Sequence, residues 1–69
     1  MSSIDAAFKS CLEVTRLNLQ EALTEIEGAL ADFERHGRNA AAGGAVHAGP
    51  ALNRAKATFD AAMALHLIK

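Results

Sequence analysis

Aromatic residues are scarce in this chain, which has no tryptophan, no tyrosine and three phenylalanines. Proteins that hold single-stranded nucleic acid depend on aromatic side chains that stack on bases, so the composition gives little support to that function. Cysteine is also nearly absent. Cys11 is the single cysteine, which excludes an intrachain disulfide. Because a lone thiol on an apolar helix face suits a reducing compartment, we expect a cytoplasmic protein.

An excess of positive charge is absent as well. Seven Lys and Arg residues stand against eight Asp and Glu residues, a formal charge of −1. Nucleic acids and anionic membranes attract basic proteins, so this balance favours neither as a partner. No apolar run approaches the roughly 20 residues needed to span a bilayer. Residues 1–5 lack a basic region followed by an apolar run, and we expect no secretion signal.

The chain has few means of stabilising itself. Its 69 residues allow one small domain. The core of such a domain rarely contributes more than about 3–5 kcal/mol. Because a disulfide is excluded, oligomerisation is the stabilising mechanism left to consider.

A long helical pattern occupies nearly half of the chain. Its large apolar residues mostly follow one another at steps of three or four, which places them on one face of an α-helix. They are Ile4, Phe8, Leu12, Leu19, Leu23, Ile26, Leu30 and Phe33. A second set, Phe8, Thr15, Ala22 and Ala29, repeats every seven residues, as in helices packed lengthwise. We predict one helix over about 3–36, with Ser2 or Ser3 as its N-cap and Gly37 at its end.

A glycine-rich segment follows this helix. Residues 37–49 include Gly43 and Gly44, and glycine at this density disfavours a stable helix, so we predict a flexible Gly/Ala linker. Pro50 suits the first position of a second helix, where its missing N–H is harmless, and this helix is expected over about 50–68. Residues 1–69 then form a single all-α domain, a two-helix antiparallel hairpin with a long first helix and a shorter second helix.

The predicted helices differ in length. Folded back on the first helix, the second would cover only its C-terminal half, with Phe59 and Met63 packed against residues 23–33. The N-terminal half, including Phe8 and Thr15, would stay uncovered, and an exposed apolar patch of this kind usually marks an interaction site. A second copy could cover it in a four-helix bundle, and so could a different protein. Of the two, we expect the homodimer.

The large apolar residues are expected to form the core seam, within the chain and between copies. They are Phe8, Leu12, Leu19, Leu23, Ile26, Leu30, Phe33, Phe59 and Met63. A carboxylate introduced at Leu19 is therefore expected to abolish the dimer and the fold together, because it would bury a charge.

Two apolar residues, Val14 and Leu17, project from the opposite side of the first helix. They are either isolated exposed residues, which are common on protein surfaces, or part of a second contact surface. The C-terminal segment 65–68 is apolar around most of its circumference. The candidates for contact with a partner protein are Val14, Leu17, Arg35, Arg38, Arg54, Leu65, Leu67 and Ile68.

A basic cluster is possible near the turn of the predicted hairpin. Arg35 and Arg38 end the first helix, while Arg54 and Lys56 begin the second. The cluster could be a solvated end that balances the helix dipoles, or it could bind an acidic protein or phosphates. The chain shows no helix-turn-helix spacing that would favour binding to DNA.

No arrangement of residues indicates a reaction or a cofactor. Cys11, His36, His47 and His66 are too scattered for a known metal-ligand spacing. The glycines do not form a phosphate-binding loop, since no Lys-Ser or Lys-Thr ending follows them. We therefore expect no enzyme activity, no cofactor and no metal.

In size and shape, though not in any motif, the chain is similar to compact helical hairpins that serve as secretion chaperones or as phage- and plasmid-encoded modulators of host proteins. The leading hypothesis is a small homodimeric adaptor or inhibitor that binds another protein. The first alternative is a dimeric nucleic-acid-binding regulator that uses the basic cluster. The second is a small chaperone whose apolar face is covered by a helix of its client.

Overall fold

The chain is all-helical within the residues that the computed structural model describes, 2–68. Helix α1 spans Ser3–His36, α2 spans Arg38–Ala45 and α3 spans Ala48–His66. Helix α1 is one arm of a hairpin, and α2 and α3 together are the other, with a bend between them. The predicted all-α helical hairpin is confirmed. Over these residues, no helix combines the length and apolarity needed to cross a membrane.

The two ends of α1 follow the sequence closely. The Ser2 side chain accepts a hydrogen bond from the Asp5 backbone N–H at 3.0 Å, which satisfies a donor that the first helical turn leaves free. At the other end Gly37 adopts a φ of 89°, and its N–H donates to the Phe33 carbonyl at 2.9 Å. Glycine adopts positive φ without steric cost, so the chain reverses here and α2 starts at the next residue.

The predicted flexible linker is wrong, because most of it is the helix α2. Ala41 and Ala45 are half-buried against α1. A Cβ atom added at Gly44 would lie 3.6 Å from the Cα atom of Ala29, so the two backbones approach closely at this glycine. Alanine has the highest helix propensity, and packing on α1 compensates for the low propensity of the two glycines.

A bend at residues 46–47 separates α2 from α3, and its cause lies a few residues further on. Pro50 has no N–H to donate to the Val46 carbonyl four residues earlier, and its ring would crowd that carbonyl in a continuous helix. The Gly49 N–H donates to the Val46 carbonyl instead, at 3.2 Å. Helix α3 thus begins at Ala48, two residues before Pro50, where the second helix was predicted to start. It ends at His66 rather than at about residue 68.

The predicted pairing of the two arms is also wrong. Helix α3 packs on the N-terminal half of α1, where Thr15 contacts Thr58 and the ring of Phe8 lies 6.2 Å from that of His66. The C-terminal half of α1 is covered by α2, in the segment predicted to be a linker. Phe8 and Thr15 are therefore covered within the chain, and the second arm does not leave the N-terminal half of α1 open for a partner.

The interior between the arms consists of small side chains. The buried residues are Thr15, Ala22, Ala29, Ala48, Ala51, Ala55 and Ala62. Alanines on facing helices let the axes come close, toward the short end of the usual 8–10 Å range. The Cα atoms span 52 × 16 × 11 Å, which is the length of α1, the width of two helices and the thickness of one. A single layer of helices has no interior deep enough for a leucine or phenylalanine.

Candidate interaction face

Large apolar side chains line one broad side of the hairpin, which we call the apolar face. It consists of Leu12, Leu19, Leu23, Ile26, Leu30, Phe33, Leu52, Phe59 and Met63. Their exposure is high for such residues, reaching 58% at Leu23, 63% at Leu30 and 52% at Phe33. Eight of these residues were predicted for the core seam, and within one chain they lie outside the core. The ninth predicted seam residue, Phe8, is half-buried between α1 and α3.

Two open grooves run along the apolar face where the arms meet. The first, about 430 Å³, is lined by Leu19 of α1 together with Leu52 and Phe59 of α3. The second, about 310 Å³, lies between the C-terminal part of α1 and α2, and its walls include Ile26, Leu30, Phe33, Ala41, Ala42 and Ala45. Large apolar side chains thus project from α3, while α2 contributes three alanines and Arg38 to the second groove. The face can accept apolar side chains from another helix.

Charged residues border the apolar face. Lys9 pairs with Glu13 across one helical turn at 3.9 Å, and on α3 the Lys56 ammonium lies 2.8 Å from the Asp60 carboxylate. All four side chains are more than half exposed, so these pairs contribute little to the stability of a single chain. They mark the edge of the face, as polar rims do at protein interfaces.

The opposite side of the hairpin is more polar and holds a cross-arm link. Arg54 donates to the side-chain oxygen of Asn18 at 2.8 Å and to the Glu21 carboxylate at 2.5 Å. Val14 lies seven residues before Glu21 and therefore on the same side of α1. Val14 and Leu17 are 42% and 61% exposed, as expected for either of their two interpretations.

The predicted basic cluster does not form. The contact of Arg54 with Glu21 places it about 20 Å along α1 from Arg35, at 1.5 Å per residue. Lys56 lines the first groove of the apolar face, away from Arg54. Arg38 lines the second groove, near the turn. Arg35 and Arg38 thus lie near the turn and Arg54 and Lys56 do not, so the four cations do not form the one cluster on which the nucleic-acid hypothesis depended.

The remaining partner-binding candidates lie at the end of the hairpin away from the turn. Leu65 is half-buried in the seam, whereas Leu67 and Ile68 are exposed just beyond α3. The contact between Phe8 and His66 places this end beside the first turns of α1. The predicted set of eight candidates is therefore spread over the length of the molecule and does not make one site.

Among residues 2–68, the one buried polar side chain is that of Thr15, which pairs with Thr58 in the seam. The hydroxyl oxygens of Thr15 and Thr58 lie 2.6 Å apart, and the Thr15 hydroxyl is also 2.8 Å from the Cys11 carbonyl. The pair adds one directional contact between the arms, beside the bonds that each hydroxyl makes to a backbone carbonyl of its own helix. Across the described part of the chain, no three His, Cys, Asp or Glu side chains come together at a possible metal position.

The alanine seam was missed, although the sequence contains its signal. Ala48, Ala55 and Ala62 repeat every seven residues, as Thr15, Ala22 and Ala29 do on α1. Two small-residue repeats of equal period predict a close pair of helices. The larger apolar residues predict a different core, because residues of this size contribute most of the buried area in most proteins.

Comparisons with protein-family models, with curated proteins and with solved structures found no match for the chain. The fold and the exposed side chains define a class by themselves: an all-α helical hairpin with an alanine seam and one apolar face.

Proposed function

We propose that the protein is a homodimeric binding module, an adaptor or inhibitor that acts by contact with another protein rather than by catalysis. One observation carries the proposal: nine of the fifteen exposed large apolar side chains in the described part of the chain lie on one open face, while alanines fill most of the interior. A monomer gains little from leucines and phenylalanines in these positions. An exposed face with nine large apolar side chains is typical of a surface that another chain covers.

The energetics favour an assembly. Full burial of a leucine, isoleucine, phenylalanine or methionine side chain contributes about 1.5–3 kcal/mol, so covering the exposed part of each contributes about 1 kcal/mol. Nine such side chains in each of two copies then contribute on the order of 20 kcal/mol. Association costs about 4–15 kcal/mol in lost rigid-body freedom and side-chain ordering. The balance supports a stable dimer.

A dimer through the apolar face leaves the opposite side free for a different protein. Val14 and Leu17 lie on that side, close to the polar link between Arg54 and Glu21. An apolar centre with charged surroundings is the usual composition of a protein interface. We therefore assign Val14 and Leu17 to the contact with the regulated protein.

Affinity capture with two charge variants tests this assignment. Leu17→Asp should reduce the recovery of the specific partner at least tenfold and leave helicity and molar mass unchanged, because Leu17 is 61% exposed and a carboxylate there stays hydrated. Ser10→Asp is the matched control, since it adds the same charge one heptad earlier on the same side of α1 without removing an apolar side chain. Recovery that is equal for wild type and Leu17→Asp would contradict the assignment, and so would unfolding of Leu17→Asp.

A further inference from the structure

We propose that the second copy covers the apolar face in an antiparallel arrangement, with α1 lying across α1 and a two-fold axis near residue 21. This inference rests on the proposed homodimer and adds its orientation and register. The order of side chains along α1 indicates that a second copy covers the apolar face. Two rows of side chains on this side of α1 become complementary when one copy is reversed.

The two rows each have a period of seven residues. One contains Leu12, Leu19, Ile26 and Phe33, and the other contains Lys9, Arg16, Leu23 and Leu30. Rows separated alternately by three and four residues are the core positions of a coiled coil, and in an antiparallel pair a residue of one row meets the other row of the partner. Reversal about residue 21 brings Leu23 to the second copy's Leu19 and Leu30 to its Leu12. The centre of the interface is thus four layers of leucine.

The same register places Lys9 and Arg16, the charged end of the second row, against apolar residues of the second copy. An acidic residue follows each of these apolar residues in the sequence. Arg16 meets Ile26 of the second copy and reaches the adjacent Glu27. Lys9 meets Phe33 of the second copy and reaches the adjacent Glu34. The long stems of lysine and arginine cover apolar surface while their charged ends stay in water, so each row remains continuous.

Charge selects this orientation over the parallel one. A parallel pairing of α1 with α1 would place Lys9 beside Lys9 and Arg16 beside Arg16, because equal core positions meet in parallel helices. In the antiparallel pairing each of these two cations instead lies next to an acidic residue of the second copy. Glu13 lies between the two cations and is already paired with Lys9 at 3.9 Å, so it does not stand alone at the interface. Complementary charge at the rim of an interface sets orientation more than affinity.

The second arm fits the same symmetry. Helix α3 covers the N-terminal half of α1, and α2 covers the C-terminal half. Reversal therefore brings Phe59 and Met63, which project from α3, over the partner's second groove, whose α2 wall is Ala41, Ala42 and Ala45, together with Arg38 at the start of α2. Large side chains meet small ones, which is the complementarity that close packing requires.

Directed cross-linking tests the orientation. In a Cys11→Ser background, chains carrying Leu12→Cys and chains carrying Leu30→Cys are prepared separately, one of them with a mass tag, then mixed and mildly oxidised. The antiparallel dimer should give one disulfide product that joins the two different chains. Neither chain alone should cross-link, because equal positions would lie about 27 Å apart along α1, far beyond the Cα separation of about 7 Å that a disulfide spans.

The result separates failure of the orientation from failure of the proposed function. Self-cross-linking of Leu12→Cys chains in a species of dimeric mass would overturn the antiparallel register and leave the homodimer standing. The opposite result is a folded species of monomeric mass that gives no more disulfide product than urea-unfolded chains give. That result would overturn both the antiparallel register and the homodimer.

A charge exchange provides an independent readout. A double variant with Lys9→Glu and Arg16→Glu in one chain should weaken dimerisation about tenfold or more. The two new carboxylates would then lie next to Glu34 and Glu27 of the second copy. Adding Glu27→Lys and Glu34→Lys to the same chain should restore the affinity to within about threefold of wild type, since the exchange keeps every cross-chain pair. Absence of that rescue would contradict the register.

Discussion

At the scale of single residues, alanine decides how this protein is built. Ala62 is completely buried, and five of the six other buried residues between the arms are also alanines. A methyl group fills the space between two helices that approach closely, and a larger group would separate them. The hydroxyl pair of Thr15 and Thr58 adds a directional contact at 2.6 Å to this otherwise featureless seam. Small size and one hydrogen-bonded pair together specify the hairpin.

Ala62→Leu should therefore reduce the free energy of unfolding by about 1–3 kcal/mol, because three added carbons force the arms apart. Ala64→Leu is the matched control. It lies on the exposed side of α3 and should change stability by less than about 0.5 kcal/mol. Urea unfolding of both variants at one protein concentration measures the difference. Equal stability of the two would show that the seam is not closely packed.

At the scale of elements, α1 could be predicted from the sequence and α2 could not. The Ser2 cap, the apolar periodicity and the terminal Gly37 are local features. Each has in the structure the role that the sequence predicts. Helix α2 depends instead on contacts that are distant along the chain, such as the approach of Gly44 to Ala29. Intrinsic propensity ranks Gly43 and Gly44 as breakers, and tertiary packing outweighs that propensity here.

The candidate site shows the same division. The apolar periodicity identified the residues of the apolar face, because spacing along a helix determines which side chains share a side. Their surroundings were not predicted, since these depend on which residues of the second arm lie opposite. Phe59 was expected to pack on the C-terminal half of α1 and instead lies beside Leu19. The error came from treating the segment 37–49 as a loop.

The two central glycines of α2 should respond oppositely to substitution. Nothing lies within 4 Å of a Cβ added at Gly43, so Gly43→Ala should stabilise the hairpin by about 0.5–1 kcal/mol. Gly44→Leu should destabilise it and release α2, because its side chain would press on Ala29 and Asp32. Hydrogen exchange of the amides at residues 42–46 checks both, with protection rising in the first variant and falling in the second. Similar protection in both would mean that α2 does not rest on α1.

At the scale of the whole molecule, the hairpin is a single layer with an apolar side. The sequence pattern alone predicted that Leu19→Asp would destroy the fold. In the structure Leu19 is 48% exposed, so a carboxylate there can stay hydrated in the monomer. Leu19→Asp should abolish the dimer and keep the helical circular-dichroism signal of the hairpin at low temperature. Loss of helicity in parallel with loss of the dimer would show that the arms need the second copy in order to fold.

The molar mass of the wild-type chain in solution tests the central claim most directly. Sedimentation equilibrium from about 1 to 100 µM should give roughly twice the chain mass of 7.2 kDa over most of this range, because the apolar face of each copy is covered by the other. A helical, cooperatively unfolding species that keeps the mass of one chain at 100 µM would contradict the account.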